Sequence, residues 1–221
     1  MALNIIFCGY RSWAIDLLND LCNNTEHCII HVTSPESLSN CVKESENYII
    51  ILAGWSWYIT PKILSQNTVV GLHPSDLPNY AGGSPIQNQI LDGLTKTKLS
   101  LFELNENYDE GNIISKCDLN LEKGITEIFL ELRYQGLKLL LEFLDTYPNH
   151  ISVAQDLNVP HIKCKRLKPS DSELTPDKLL TLSTRDLYNM IRCREDPYPN
   201  VFLEDSEGKL LFKKIEFIKK R

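Results

Sequence analysis

Over its first 72 residues the chain repeats one pattern: a short apolar run, a turn, then a stretch with apolar positions at helical spacing. Residues 3–8 are apolar up to Gly9, the signature of a buried strand. A helix is expected to open at Arg11-Ser12, with Trp13, Leu17, Leu18 and Leu21 on one face. Residues 28–32 predict a second strand, and the polar stretch 34–46 a weak helix. Residues 48–53 predict a third strand, a short helix follows near Pro61, and 69–72 predict a fourth strand. Strands apolar throughout, alternating with helices, predict a parallel sheet covered on both faces. The fold class expected is therefore α/β: a Rossmann-like, mostly parallel sheet flanked by helices. Gly9-Tyr10-Arg11-Ser12 is not the G-x-G-x-x-G fingerprint, so NAD binding is not expected.

Past residue 72 the signals change. A loop rich in proline and glycine leads to a helix start at Ser84. Pro85 suits the first helical position, and Gln87 would complete a Ser-x-x-Gln capping box. Gly93 is placed to end that helix. Residues 98–104 and 112–118 predict two strands separated by 105–111, and 125–143 a long amphipathic helix. After Asp145-Thr146-Tyr147-Pro148-Asn149 the pattern breaks into short pieces. These are strands at 161–164, 201–204 and 209–217, a helix at 183–193, and a hairpin turn at 206–208. We expect a main domain over residues 1–150 and a small C-terminal α+β subdomain over 151–221.

Charge and composition narrow the partners. The formal net charge of −6 argues against non-specific binding to nucleic acid or an anionic membrane. The basic cluster Lys213-Lys214 and Lys219-Lys220-Arg221 reads as a solvated edge strand and tail. Seven scattered cysteines without C-x-x-C spacing suit a reducing compartment, with thiols acting as small core residues. No Cys/His pair has ligand spacing, so no metal site is expected. No leader pattern or membrane-spanning run is present, so the protein is expected to be cytoplasmic, without a membrane partner.

The chemistry concentrates at His73. It follows an apolar strand, and Pro74 and Pro78 stiffen the loop after it. Gly82-Gly83 admits close backbone approach, and the amides at the Ser84 helix start can face an anion or a carbonyl oxygen. One predicted hairpin later stands Asp109, in a turn-like Asp-Glu-Gly. An acid beside an imidazole can hold it protonated or relay its proton, a pairing useful in acyl transfer. Trp55, Trp57 and Tyr58, in the loop 54–58, offer walls for an apolar slot; the same residues suit an ordinary core.

The run GLHPSDLPNYAGGSPIQNQILDG, followed by LNENYDEGNII, resembles the formyltransferases that use N10-formyltetrahydrofolate. Their hallmark is Asn-x-His followed by Pro-Ser-x-Leu-Pro, a Gly-x-x-Pro helix start and a later Asp-x-Gly. FCGYRSWAIDLL and ILAGWSWYITPKIL resemble the family's first strand–helix unit and its pterin loop. CKRLKPSDSEL and IRCREDPYPNVF resemble the C-terminal part shared by sugar N-formyltransferases and methionyl-tRNA formyltransferases. The resemblance implies that His73 and Asp109 are the catalytic histidine and aspartate. It implies that Gly54, Trp55, Ser56, Trp57 and Tyr58, with Asp109, meet the folate. The acceptor would meet Tyr80, Gly82, Gly83, Ser84, Gln87, Lys168, Arg192 and Tyr198.

Two positions depart from the pattern. Gly71 stands where the family has its asparagine, whose amide helps hold the formyl oxygen, and Ala81 stands where a basic residue is common. A loop N–H, a water or the Asn88 amide is expected to substitute. Among acceptors, the resemblance points to an amino-dideoxy sugar linked to dTDP or UDP, with a product used in surface polysaccharide. The chain stops at Arg221 with a net charge of −6, which disfavours a tRNA acceptor. A methionyl-tRNA formyltransferase-like enzyme, and a catalytically weak folate- or nucleotide-sugar-binding protein, remain the alternatives. A homodimer is expected, because the C-terminal strands offer an edge that needs covering.

Overall fold

The computed structural model describes residues 2–43 and 47–220. Six strands make the central sheet: β1 (Asn4–Cys8), β2 (Cys28–Val32), β3 (Ile49–Ala53), β4 (Thr68–His73), β6 (Lys96–Glu103) and β7 (Ile113–Asn120), in the order β2-β1-β3-β4-β6-β7. The first four run parallel, whereas β6 and β7 are antiparallel to their neighbours. The sheet is thus α/β and mostly parallel, as the apolar runs predict. Helices α1 (Ser12–Asn24) and α5 (Ile125–Thr146) cover one face; α2 (Pro35–Cys41) and α3 (Pro61–Gln66) cover the other. The weak helix expected over 34–46 is α2, and positions 44–46 lie outside the described residues.

The pleat divides the core cleanly. Ile5, Phe7, Ile49, Ile51, Val70 and Leu72 face α1 and α5, while Ile6, Cys8, Ile50, Leu52 and Val69 face the opposite way. Gly71 and His73 share the second face by the same period of two. On the cysteines the outcome is mixed: Cys8 and Cys193 are buried, but Cys22 and Cys28 are exposed.

The loop between β4 and β6 carries β5 (Ala81–Gly82) and α4 (Pro85–Leu91). Pro85 takes the first helical position and Gly93 adopts positive φ just beyond the end. The expected capping box does not form. Ser84 is left-handed, with φ of 53°, and its Oγ instead accepts the Leu167 N–H at 3.1 Å. That swap ties the helix start to the C-terminal segment.

After α5 the chain returns across the sheet edge, where Val153 exchanges two backbone hydrogen bonds with Ile113. Of the strand expected at 161–164 only β8 (Lys163–Cys164) forms, because it pairs with the two-residue β5. A single 3₁₀ turn (Pro169–Ser172), α6 (Pro176–Thr181) and α7 (Thr184–Arg192) follow, then the hairpin β9 (Val201–Glu204) and β10 (Lys209–Phe212). β10 stops at Phe212 rather than 217, because four-residue β9 gives it no longer partner. Leu174, Met190, Ile191 and Val201 form a small separate core cluster here. No helix among the described residues is long and apolar enough to cross a membrane.

Candidate active site

A cavity of about 410 Å³ opens where the loops after β1, β3 and β4 meet. The strands leave β1 in opposite directions there, toward β2 on one side and β3 on the other, the crevice where open α/β sheets bind ligands. Its lining includes Arg11 after β1, residues 54–59 after β3, and His73 and Pro74 at the end of β4.

His73 is 7% exposed. Its Nε2 lies 2.9 Å from the Tyr80 carbonyl oxygen, which can only accept, so Nε2 carries a proton. Its Nδ1 lies 3.6 Å from Asp109 Oδ2 and is the ring nitrogen that no backbone carbonyl engages among the described residues. Asp109 Oδ2 also accepts the Gly82 N–H at 2.8 Å. The pair is held from behind. Ser100 Oγ donates to the Ser75 carbonyl at 2.7 Å, Gln89 to the Pro74 carbonyl at 2.8 Å, and Lys116 to the Leu77 carbonyl at 2.6 Å. Gln89 is itself held by the Thr97 hydroxyl.

Backbone strain collects around the same pair. Tyr80, Ser84 and Asp109 have φ of 58°, 53° and 57°, a region that side chains seldom enter. Asp109 is kept there by Gln155, whose Nε2 donates to the carbonyls of Asp109 and Gly111 at 2.8 and 2.7 Å. No motif in the sequence points to Gln155, because its role depends on the chain returning over β7. Gly82, at φ of 108°, is required by the β5–β8 pairing: a Cβ there would stand 2.4 Å from the Cys164 carbonyl oxygen.

Several sequence expectations change place. Gly54, Trp55, Ser56, Trp57 and Tyr58 all line the cavity, as do Gly82, Gly83, Ser84, Gln87 and Tyr198. Tyr80 does not. Its ring is buried and its hydroxyl donates to Asp92 Oδ2 at 2.9 Å, which with burial pushes its pKa up to about 12. Its contribution is the carbonyl that orients His73. Arg192 is also withdrawn, because its guanidinium is buried and committed to Asn189 and to the carbonyls of Leu121 and Lys123. Lys168 is exposed and does not line the cavity. Arg11 and Arg166 line it instead.

Gly71 also finds its explanation. In the antiparallel register it stands opposite Phe102, and a Cβ at 71 would lie 2.9 Å from Phe102 Cε1 and 3.0 Å from Leu104 Cδ1. Two apolar side chains fill the space a residue at 71 would need. Asn88 cannot stand in, since its amide donates to the carbonyls of Gly83, Ser84 and Lys165.

The aromatic wall is extensive. Trp55 and Trp57 pack edge to face at 4.8 Å, Tyr10 packs on Trp57 at 4.8 Å, and Tyr58 meets Tyr108 at 5.7 Å. The Trp55 indole N–H is buried without a hydrogen-bond partner among the described residues.

The formyl transferase family model matches residues 28–139, half of the chain, and this span contains every strand of the central sheet except β1 and both members of the His73–Asp109 pair. The chain belongs to this family. A methionyl-tRNA formyltransferase of Rickettsia prowazekii is 32% identical over 139 residues, covering 58% of this chain and 46% of that protein. The chain thus spans about half the length of this curated relative. A solved methionyl-tRNA formyltransferase structure from Clostridium thermocellum superposes with a TM-score of 0.82 at 28% identity, covering 98% of this chain and 94% of that one. A sugar N-formyltransferase from Shewanella sp. shares the fold, with a TM-score of 0.74 at 13% identity and coverage of 98% and 99%.

Proposed function

We propose that this formyl transferase family member moves a formyl group from N10-formyltetrahydrofolate to the amine of a sugar linked to dTDP or UDP. The observation that carries the reaction type is the His73 Nδ1–Asp109 Oδ2 pair at 3.6 Å inside an aromatic-walled cavity. The donor fits the residues present. Trp55, Trp57 and Tyr58 offer flat faces to a planar ring system, and the unpartnered Trp55 N–H offers it a donor.

The folate supplies the formyl carbonyl. With a proton on Nδ1 as well as Nε2, His73 presents an N–H to the negative charge that develops on the carbonyl oxygen, and then protonates the leaving nitrogen. Asp109, whose Oδ2 stands 3.6 Å from Nδ1, takes the proton released by the attacking amine, directly or through water. The Tyr80 carbonyl keeps Nε2 protonated throughout. Because Phe102 and Leu104 occupy the space beside Gly71, no side-chain amide reaches the carbonyl from that position, and His73 carries the charge.

The net charge of −6 favours a small acceptor over a polyanion such as tRNA. The 32% identity to a methionyl-tRNA formyltransferase favours the other reading, an aminoacyl-tRNA acceptor. A mass-spectrometric turnover assay with N10-formyltetrahydrofolate, a panel of dTDP- and UDP-linked amino sugars and methionyl-tRNA separates the two. Gain of one formyl group on a sugar, lost about 10²–10⁴-fold in His73→Asn, is the expected result. Transfer to the tRNA alone overturns the sugar reading, and folate binding without transfer to any acceptor overturns the enzyme. A homodimer is part of the proposal; a monomer mass in light scattering would exclude it.

A further inference from the structure

We infer that Arg11 and Arg166, together with Gln87 and Tyr198, form a phosphate-recognition subsite at the cavity, for the diphosphate of the acceptor. The inference rests on the proposed acceptor and adds the residues that would hold it. All four residues line the one cavity, yet they come from four separate parts of the chain: the start of α1, the segment after β8, α4, and the loop before β9.

The two arginines differ from most others in the protein. Arg133 is paired with Asp20, and Arg192 and Arg194 donate to backbone carbonyls. Arg185 lies 3.6 Å from the Phe217 ring. Among the described residues the guanidinium groups of Arg11 and Arg166 make neither an ion pair nor a hydrogen bond. Both are nevertheless seated. Arg11 rests its stem against Gly54, where a Cβ would approach its Cγ to 3.0 Å, and its Cζ stands 5.2 Å from the Tyr10 ring and 5.9 Å from the Tyr198 ring. The Arg166 backbone packs on Gly83, where a Cβ would lie 2.7 Å from its Cα, and its exposed side chain stands at the rim. Two arginines without an ion pair among the described residues, both lining one cavity of a chain with net charge −6, are a local exception to its electrostatics.

A second observation points the same way. Gln87 is 3% exposed, and among the described residues its Nε2 meets no hydrogen-bond geometry, with the Tyr198 hydroxyl as its polar neighbour. A buried amide without a partner is costly, and a ligand oxygen would satisfy it. Planar guanidinium forks suit phosphate oxygens, and the Gln87 amide and Tyr198 hydroxyl add neutral donors. The carboxylate-bearing rim residue Glu106 stands on the exposed loop 105–108. A donor's carboxylate tail shares the anionic chemistry. The diphosphate is the larger anion, with more oxygens to engage two guanidinium groups from separate parts of the chain, and the binding arms below separate the two sources.

The test is calorimetric binding of inorganic pyrophosphate, UDP and dTDP to the full chain, with Arg11→Gln, Arg166→Gln and, as a control off the cavity, Lys168→Gln. Circular dichroism checks that each variant is folded. Each arginine variant is expected to weaken pyrophosphate and nucleoside diphosphate about tenfold or more. Lys168→Gln, and tetrahydrofolate binding in all variants, should stay within about twofold. Wild-type affinity retained in both arginine variants, or no pyrophosphate binding by the wild type, overturns the subsite. So does loss of tetrahydrofolate binding with tetrahydropteroate binding intact, which would assign the arginines to the donor's glutamate. No turnover is read, so absent formyl transfer with pyrophosphate binding intact would count against the proposed reaction alone.

Discussion

The sheet and the C-terminal segment both reach the cavity, but they are built differently. β1, β3 and β4 are buried almost throughout, with Ile5, Ile6, Phe7, Ile50, Ile51 and Val70 fully inaccessible. The segment after residue 150 leaves Ile151, Val153, Leu180, Leu210 and Ile218 more than half exposed, and its own cluster holds four buried residues. It is held largely by tethers: Val153 on Ile113, Gln155 on the Asp109 loop, and β8 on β5. The sheet therefore positions His73 and the loop that carries Asp109, and the segment lends Arg166 and Tyr198 to the cavity. The contrast teaches a division of labour. On the proposed function, His73 sits where burial makes the backbone rigid, whereas Asp109 and the residues the segment brings to the cavity depend on a few hydrogen bonds that place them against it.

That division can be broken at its strongest point first. Asp109→Asn should lower kcat about 10²–10⁴-fold with folding intact, measured by turnover alongside circular dichroism. A comparable loss from Tyr198→Phe would mean that chemistry is shared with the segment. Next, Ile50→Ala should cost roughly 2–5 kcal/mol of stability in urea unfolding, whereas Leu210→Ala, which is 60% exposed, should stay within about 0.5 kcal/mol. Equal costs would show that the segment folds as part of the main core.

Gln155→Ala probes the seam between the regions. Losing two hydrogen bonds to the Asp109 loop, worth about 0.5–1.5 kcal/mol each, should lower kcat roughly tenfold and leave KM nearly unchanged. Recovery in Gln155→Asn would be consistent with positioning. A change in KM alone would place Gln155 in binding instead.

The smallest effect is at the α1–α5 seam. Arg133 hydrogen-bonds Asp20, at 2.6 Å from Nη2 to Oδ1, and lowers its pKa below the usual carboxylate range. A depressed folded pKa contributes stability above the unfolded value of about 4, lost as pH falls through the folded value. Asp20→Asn should therefore be modestly less stable at pH 7, with the difference fading below about pH 4 in thermal melts.

How legible each part was follows from the range of its interactions. The strands β1, β3 and β4 were legible because continuous apolar runs have one stable use, burial on both sheet faces. The helix face of Trp13, Leu17, Leu18 and Leu21 was legible because its spacing is local. The Ser84 capping box was misread for the opposite reason: Leu167, 83 residues away, competes for the hydroxyl. Arg192 was misread as an acceptor contact because nothing local reveals the carbonyls of Leu121 and Lys123. Arg11 and Arg166 went unnoticed because an arginine's lack of a partner appears only once every element is placed.

By itself the sequence determined the α/β sheet, the loop that follows β4, and the two residue types, histidine and aspartate, on which acyl-transfer chemistry would depend. Those depend on periodicity and local turn chemistry, which neighbours along the chain supply. Tertiary structure alone decided which His73 nitrogen faces Asp109, that Phe102 and Leu104 close the space beside Gly71, and which arginines meet the cavity. Each of these is a contact between segments far apart along the chain, and packing chooses such contacts only after the sheet has brought its loops together.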